Sequence, residues 1–158
     1  MEDKVLMTKR GFDALIAELK QLKLHDRVEI INAIAEARAQ GDLSENAEYH
    51  SAKERQSFIE GRIIELEDAT SRAQVVDPST LSGDKVIFGA TVVVADEETG
   101  NETTYSIVGK HEADIKKGLI SIESPIARAM IGKKAGDEFE FQAPAGIKNY
   151  VVVSVTFK

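Results

Sequence analysis

Two long stretches of helical periodicity, separated by one short break, constrain the fold of this chain more than any other feature. In the second stretch, positions at alternating spacings of four and three residues form a stripe: Ala52, Gln56, Ile59, Ile63, Leu66, Thr70 and Ala73. Five of these seven residues are apolar, as in the seam of a coiled coil. The stripe predicts a long helix that packs against another helix.

The first stretch carries a similar stripe with one phase shift. Its apolar positions are Phe12, Leu15, Leu19 and Leu22, followed by Ile30, Ile34 and Ala37. The polar residues 25–27 lie between the two groups, and the heptad phase shifts there by about one residue. Thr8 is a favourable N-cap for this helix because its hydroxyl can accept a backbone N–H.

The break between the two stretches is short and contains Gly41, which can end a helix cheaply in a left-handed backbone conformation. Because the break is short, the predicted helices over residues 9–40 and 44–74 should fold back on each other as an antiparallel hairpin. Each helix would be about 45 Å long at 1.5 Å per residue.

The composition changes near Pro78. Residues 79–158 contain eight of the eleven glycines and two of the three prolines. We therefore predict an α+β protein of two domains, with a helical hairpin over residues 1–77, a turn-rich linker over residues 78–84 and a second domain over residues 85–158.

The second domain is predicted to be an antiparallel sheet with one helix. The predicted strands are residues 85–88, 91–95, 103–108, 119–122, 138–141 and 150–157, with a hairpin turn at residues 98–101. Ser124 is the predicted N-cap of the helix, Pro125 its first residue, and Gly132 follows its end. Ile126, Met130 and Ile131 are expected to pack this helix on the sheet.

Charge and composition exclude several classes of protein. The net charge is −7, so the chain as a whole lacks the basic surface of a free duplex-DNA-binding protein. It has no cysteine, which excludes disulfides and thiolate metal sites. No apolar run approaches the roughly 20 residues needed to cross a bilayer, and the first residues do not resemble a secretory signal. We expect a cytoplasmic protein with no membrane partner.

Two acidic residues, Asp42 and Glu45, lie at the turn of the predicted hairpin. One interpretation is structural, since acidic residues stabilise helix N-termini and either Asp42 or Ser44 could be the N-cap of the second helix. From the spacing alone this interpretation is favoured. The other is chemical, because Mg²⁺ is often bound by one or two protein carboxylates. Two carboxylates cannot form a tight site alone, but they could complete one that another protein supplies.

The sequence around the turn resembles a known family. Residues 41–50, Gly-Asp-Leu-Ser-Glu-Asn-Ala-Glu-Tyr-His, closely resemble the tip signature of the GreA/GreB transcription elongation factors. Residues 124–132 resemble the C-terminal signature of that family. Met7-Thr8 followed by Gly11, and residues 86–90, match the family as well. The resemblance covers nearly the whole chain.

The resemblance implies a fold and an activity. Family members insert the N-terminal hairpin into the secondary channel of RNA polymerase, where the tip acids help the polymerase hydrolyse backtracked RNA near its 3′ end. The C-terminal domain resembles FK506-binding proteins and docks at the channel rim. By this resemblance the factor is not itself an enzyme and stimulates the RNA hydrolysis activity of the polymerase. Asp42 would bind the second Mg²⁺, which the polymerase mainly holds and the free protein does not bind tightly. Glu45 would orient or deprotonate the attacking water, or share the metal, and the spacing does not distinguish these roles.

Other residues near the tip receive supporting roles by the same resemblance. The candidates for contacts with RNA phosphates are Arg38, Lys53 and Arg55, although ordinary surface pairing, such as Lys53 with Glu48 or Glu54, explains them equally well. The residues expected to support the tip are Gly41, Leu43, Asn46 and Tyr49.

Three alternatives remain open at the level of sequence. A relative that occupies the same channel could inhibit the polymerase, although the two tip acids favour stimulation. The second domain could be a prolyl isomerase or chaperone, although it has few aromatic residues for such a pocket. A plain coiled-coil adaptor would have no need of an acidic tip.

Overall fold

A computed structural model describes residues 3–42 and 46–158. Backbone contacts divide the chain into two compact units, one of residues 13–72 and the other of residues 3–12 together with 73–158. The predicted fold class is confirmed: a long helical hairpin is followed by a curled sheet with one helix.

The described residues of the hairpin form α1 (Lys9–Gln21), a π-helical segment (Leu22–Asp26), α2 (Arg27–Ala39) and α3 (Ala47–Ser71). The predicted phase shift is confirmed and has a physical cause. In the π segment the N–H of Arg27 reaches back to the carbonyl of Leu22, so this turn contains one residue more than an α-turn. As a result Leu22 and Ile30, on either side of the shift, are both buried.

The seam predicted on α3 is confirmed over most of its length. Ala52, Ile59, Ile63 and Leu66 are buried. Beyond Leu66 the seam passes through buried Ala69. Ala73 was wrongly placed in this seam, because α3 ends at Ser71 and Ala73 begins a strand.

Ion pairs align the two sides of the hairpin. The guanidinium of Arg27 lies 2.8 Å from the carboxylate of Glu60, and that of Arg62 lies 2.7 Å from Glu18. The hydrogen bonds from these arginines lower the pKa of both glutamates below the usual value. The carboxylates are about half exposed, so each pair contributes little to stability and mainly favours one register.

The hairpin seam should account for most of the stability of this unit. Leu66 is 0% exposed and Ile64, two residues before it on α3, is 70% exposed. We expect Leu66→Ala to lower the free energy of unfolding by about 2–5 kcal/mol, because it leaves a cavity. Ile64→Ala, the matched control, should change it by about 0.5 kcal/mol or less. Urea unfolding followed by circular dichroism measures both, and equal effects would contradict the assigned seam.

The second unit contains two sheets. A parallel pair is formed by β1 (Val5–Thr8) and β2 (Ala73–Val76), in which Val5 lies opposite Ala73. A five-stranded sheet has the order β5-β4-β3-β7-β6, with β3 (Ala90–Asp96), β4 (Glu102–Val108), β5 (Leu119–Ser121), β6 (Glu138–Ala143) and β7 (Gly146–Phe157). The parallel pair was not predicted.

Three details of the sheet differ from the sequence expectation. β4 and β5 are parallel and not antiparallel, because residues 109–118 between them are long enough to return the chain to the same end. Residues 85–88 do not form a strand, and only Lys85 makes an isolated bridge, to Lys134. β7 begins at Gly146, four residues earlier than predicted.

The short helix α4 (Pro125–Met130) packs on the core of this unit, as predicted. Ala127 and Met130 are 0% exposed and lie in one buried cluster with sheet residues such as Val92. The hydroxyl of Ser124 accepts the N–H of Ala127 at 3.3 Å, which confirms Ser124 as the N-cap. Ile131 was wrongly expected to pack on the sheet. The helix ends before it, its backbone turns to an extended ψ of 131°, and 39% of the residue is exposed.

Glu112 ties the first residues of the chain to the loop after β4. Its Oε2 accepts the backbone N–H of Thr8 and that of Gly109, each at 2.9 Å, and its Oε1 accepts the hydroxyl of Thr8. The same hydroxyl accepts the N–H of Gly11 at 3.1 Å, which confirms Thr8 as a cap of α1. A Cβ on Gly11 would collide with the Glu112 side chain as it lies here, so a larger residue at this position would have to displace the carboxylate that binds Thr8.

The compact units differ from the predicted domains at the start of the chain. Residues 3–12 group with the sheet and not with the hairpin, because β1 pairs with β2 and Thr8 binds Glu112. The predicted linker contains a 3-10 helix, Pro78–Thr80, capped by the side chain of Asp77. The domain limits at residues 77 and 85 stay a prediction.

Candidate site at the tip of the hairpin

The candidate site lies where α2 ends and α3 begins. Asp42 is exposed, and Gly41 before it has a φ of +124°, a backbone conformation that L side chains rarely adopt. The structure therefore supports the expectation that the turn needs glycine at this position. Glu45, Leu43 and Ser44, to which the sequence assigned roles, lie outside the described residues.

The N-cap of the described helix α3 is Asn46 and not Asp42, and Ser44, the other candidate, lies outside the described residues. The side-chain oxygen of Asn46 accepts the backbone N–H of Tyr49 at 3.1 Å. The expectation for Asp42 was wrong because the described helix begins at Ala47 and not directly after Asp42. Asp42 is therefore not needed as the cap of the described helix α3.

Asn46 also joins the two helix ends across the turn. Its Nδ2 donates a hydrogen bond to the backbone carbonyl of Ala37 at 2.7 Å. Ala37 is 3% exposed and lies in the last turn of α2. One amide side chain thus caps α3 and binds the end of α2, in agreement with a supporting role for Asn46.

Tyr49 lies at the base of the turn between two polar neighbours. The guanidinium carbon of Arg38 is 5.9 Å from the centre of the Tyr49 ring, within the range of a cation–π interaction. The ring of His50 meets the Tyr49 ring edge-on, with 5.6 Å between centres and 71° between planes. Tyr49 is half-buried, so the structure places it as a packing residue that links the two helix ends.

The other two candidate RNA contacts lie on the exposed surface of α3. Lys53 donates a hydrogen bond from Nζ to the side-chain oxygen of Gln56 at 3.2 Å. This partner is neutral and is neither Glu48 nor Glu54, the two acids that the surface-pairing interpretation named. Arg55 is exposed. The role of all three as RNA contacts stays a prediction, and sequence reasoning did not anticipate the contacts of Arg38 with Tyr49 and of Lys53 with Gln56.

The tip does not contain a complete metal site within the residues described. Among residues 3–42 and 46–158, no three side chains of the His, Asp or Glu type come together as potential ligands. The turn does contain an open depression of about 300 Å³, lined by Gln40, Asp42, Asn46, Ala47 and Glu48. An exposed carboxylate beside open space fits a Mg²⁺ ion that a second protein holds by its other ligands.

None of the described helices is both long and apolar enough to cross a membrane.

Both parts of the chain match models of the same class of protein. Residues 5–75 match the model described as the N-terminal part of a transcription elongation factor, and residues 81–157 match the C-terminal part of transcription elongation factors GreA/GreB. The chain belongs to the GreA/GreB family of transcription elongation factors, as its tip signature predicted.

Within this family the chain is similar to proteins named transcription elongation factor GreA. It is 63% identical to GreA of Rhodospirillum rubrum over 155 residues, which cover 98% of this chain and 99% of the relative. It is 60% identical to GreA of Hyphomonas neptunium over 156 residues, with 99% of both chains covered. The crystal structure of Gfh1 from Thermus aquaticus is 29% identical, covers 98% of this chain and 99% of its own, and has a TM-score of 0.45. The family assignment rests on the sequence matches.

Proposed function

We propose that this chain is a transcript-cleavage factor that enters the secondary channel of RNA polymerase and stimulates hydrolysis of backtracked RNA by the polymerase. The observation that supports this most directly is the exposed carboxylate of Asp42 at the turn between two long helices. The 25 residues of α3 alone extend over about 37 Å. A helix of that length can carry a carboxylate deep into a narrow channel.

Asp42 suits this role because it is not the cap of α3. Its carboxylate can take part in binding Mg²⁺ at the polymerase active site while Asn46 keeps the helix end satisfied. Glu45 would share this ion or orient the attacking water. When bound, Mg²⁺ stabilises charge that develops on the phosphoryl oxygens and favours deprotonation of the attacking water. The polymerase supplies the remaining ligands and the reaction itself.

Basic residues beside the turn would hold the displaced RNA. Arg55 is the best of the three candidates, since its side chain is exposed on α3. Lys53 gives up only one neutral hydrogen bond, to Gln56, when it binds a phosphate. Arg38 would have to leave the Tyr49 ring, so we assign it a smaller share. With a net charge of −7, such contacts are local and depend on the polymerase as the main partner.

The second unit would dock at the rim of the channel, and the protein would act in the cytoplasm together with the polymerase. The relatives support an elongation factor in preference to a prolyl isomerase, a chaperone or an inhibitor, because they are named transcription elongation factors.

A stalled polymerase complex with RNA labelled at its 5′ end tests this function. The intact chain should speed the removal of the 3′ segment, and the same chain mixed with free RNA should cleave nothing. A chain that binds the polymerase and leaves the rate of cleavage unchanged would contradict the proposal.

A further inference from the structure

We infer that Asn46 is a positioning residue for the tip: its side-chain amide fixes the spacing between the two helix ends that carry the acidic turn. This inference rests on the proposed function, because it concerns how the carboxylates of the turn are held in place. Asn46 acts through the backbone of the turn and not by touching the reacting atoms.

The geometry uses both ends of one amide. The Asn46 oxygen accepts the N–H of Tyr49 at 3.1 Å, and its nitrogen donates to the carbonyl of Ala37 at 2.7 Å. A carbonyl oxygen can only accept and a backbone N–H can only donate, so the two bonds fix which end of the amide faces which helix. The contact spans nine positions of the chain and closes the turn at its base.

The choice of asparagine is explained by the second bond. Ser, Asp and Asn are about equally good N-caps, because each accepts a backbone N–H. Aspartate has no donor when ionised, and its second oxygen would face the Ala37 carbonyl. Only an amide of this length caps α3 and also binds α2, so capping alone does not account for this residue.

A second contact joins the same two helix ends. Arg38 follows Ala37 on α2, and its guanidinium lies over the ring of Tyr49. Tyr49 is also the residue whose backbone N–H donates to the side-chain oxygen of Asn46. The two contacts together resist both separation and twisting of the ends. Positions of reacting groups must hold to a fraction of an ångström for full rate, so loss of the amide donor should loosen the turn enough to slow cleavage.

The test is Asn46→Asp, which keeps the cap and removes the donor. Asn32→Asp, at an exposed position of α2, is the control with the same change of charge. At saturating factor we expect the maximal cleavage rate of Asn46→Asp to fall about ten- to a hundredfold, as for a misplaced catalytic group. The concentration of factor for half-maximal effect should stay near wild type, and the melting temperature should fall by only a few degrees, because one hydrogen bond is lost. Asn32→Asp should match wild type throughout.

A measurement without the polymerase tests the same geometry. The sequence has no cysteine, so Glu36→Cys and Ser51→Cys introduce a single pair of spin-label sites at exposed positions on α2 and α3. The distribution of label distances should be narrow with Asn46 and broader with Asn46→Asp. An unchanged distribution together with a wild-type maximal rate would overturn the inference. If Asp42→Ala also cleaves normally, the proposed function fails as well. If only Asp42→Ala is inactive, the function stands and the role of Asn46 is wrong.

Discussion

Replacing Asp42 by asparagine, or Glu45 by glutamine, should leave the fold and polymerase binding intact and lower RNA cleavage by about two orders of magnitude or more. A hundredfold loss of rate corresponds to about 3 kcal/mol of activation free energy, as expected when a metal ligand or a group that orients water is removed. Both changes conserve the size of the side chain. Because Asn46 caps α3, the substitution at Asp42 does not remove the cap of that helix.

The matched control is Glu48→Gln. Glu48 is exposed and lines the same depression as Asp42, yet the family resemblance assigns it no role. Glu48→Gln should cleave as wild type.

Added Mg²⁺ should partly restore cleavage by Asp42→Asn, since a weakened metal site refills by mass action. It should restore cleavage by Glu45→Gln less if Glu45 acts on the water. Melting temperature, polymerase affinity and cleavage are measured on the same proteins, and normal cleavage by both variants at saturation would rule out the tip carboxylates.

Replacing Glu112 by alanine should lower the free energy of unfolding of the second unit by about 3–5 kcal/mol. Hydrogen bonds to a charged group are worth about 1.5–3 kcal/mol each, and Glu112 accepts three. Its loss leaves the N–H of Thr8, a residue only 7% exposed, without its acceptor. Glu112→Gln should cost less, because the amide oxygen can still accept both backbone N–H groups.

Glu98→Ala, at an exposed position of the turn after β3, is the control and should stay within about 0.5 kcal/mol of wild type. Denaturant unfolding gives the stability, and amide hydrogen exchange at Thr8 and Gly109 shows where the structure opens. If those two amides exchange no faster in Glu112→Ala, the tie between the start of the chain and this loop is not what stabilises the unit.

The hairpin could be predicted from sequence because its information is local. Spacings of three and four residues identified most of the buried positions of both helices, and the π segment lies where the phase shift of about one residue was predicted. The caps at Thr8 and Ser124 followed from the preference of helix N-termini for hydroxyl groups. Such signals lie within one or two turns of the residues that they place.

The start of the chain could not be assigned in the same way. β1 has four residues, too few for an alternating pattern, and its partner β2 follows the whole hairpin. Glu112 lies 104 positions from Thr8, and nothing near either residue indicates the other. Long-range pairing of this kind is decided by tertiary packing. For the same reason Ala73 was wrongly assigned to α3, because it continues the apolar spacing of that helix, whereas it pairs with β1 as the first residue of β2.

At the tip, the family signature located the turn but not its internal contacts. Asp42, Ser44 and Asn46 are all favourable N-caps, so capping preference alone could not choose among them. The choice depends on where α3 begins and on the Ala37 carbonyl across the turn. That acceptor belongs to the backbone, which every residue type shares, so no side chain in the sequence marks it.

The parallel pairing of β1 with β2 makes the whole hairpin a crossover connection between two neighbouring strands. The chain before the turn is therefore held by non-covalent contacts near both of its ends. Near one end these are the pairing of β1 with β2 and the hydrogen bonds between Thr8 and Glu112. Near the other end it is the hydrogen bond between Asn46 and the Ala37 carbonyl. If the backbone were cut within residues 40–45, the first forty or so residues would stay bound as a strand and a helix. The protein would then behave as a complex of two peptides that together form the same fold.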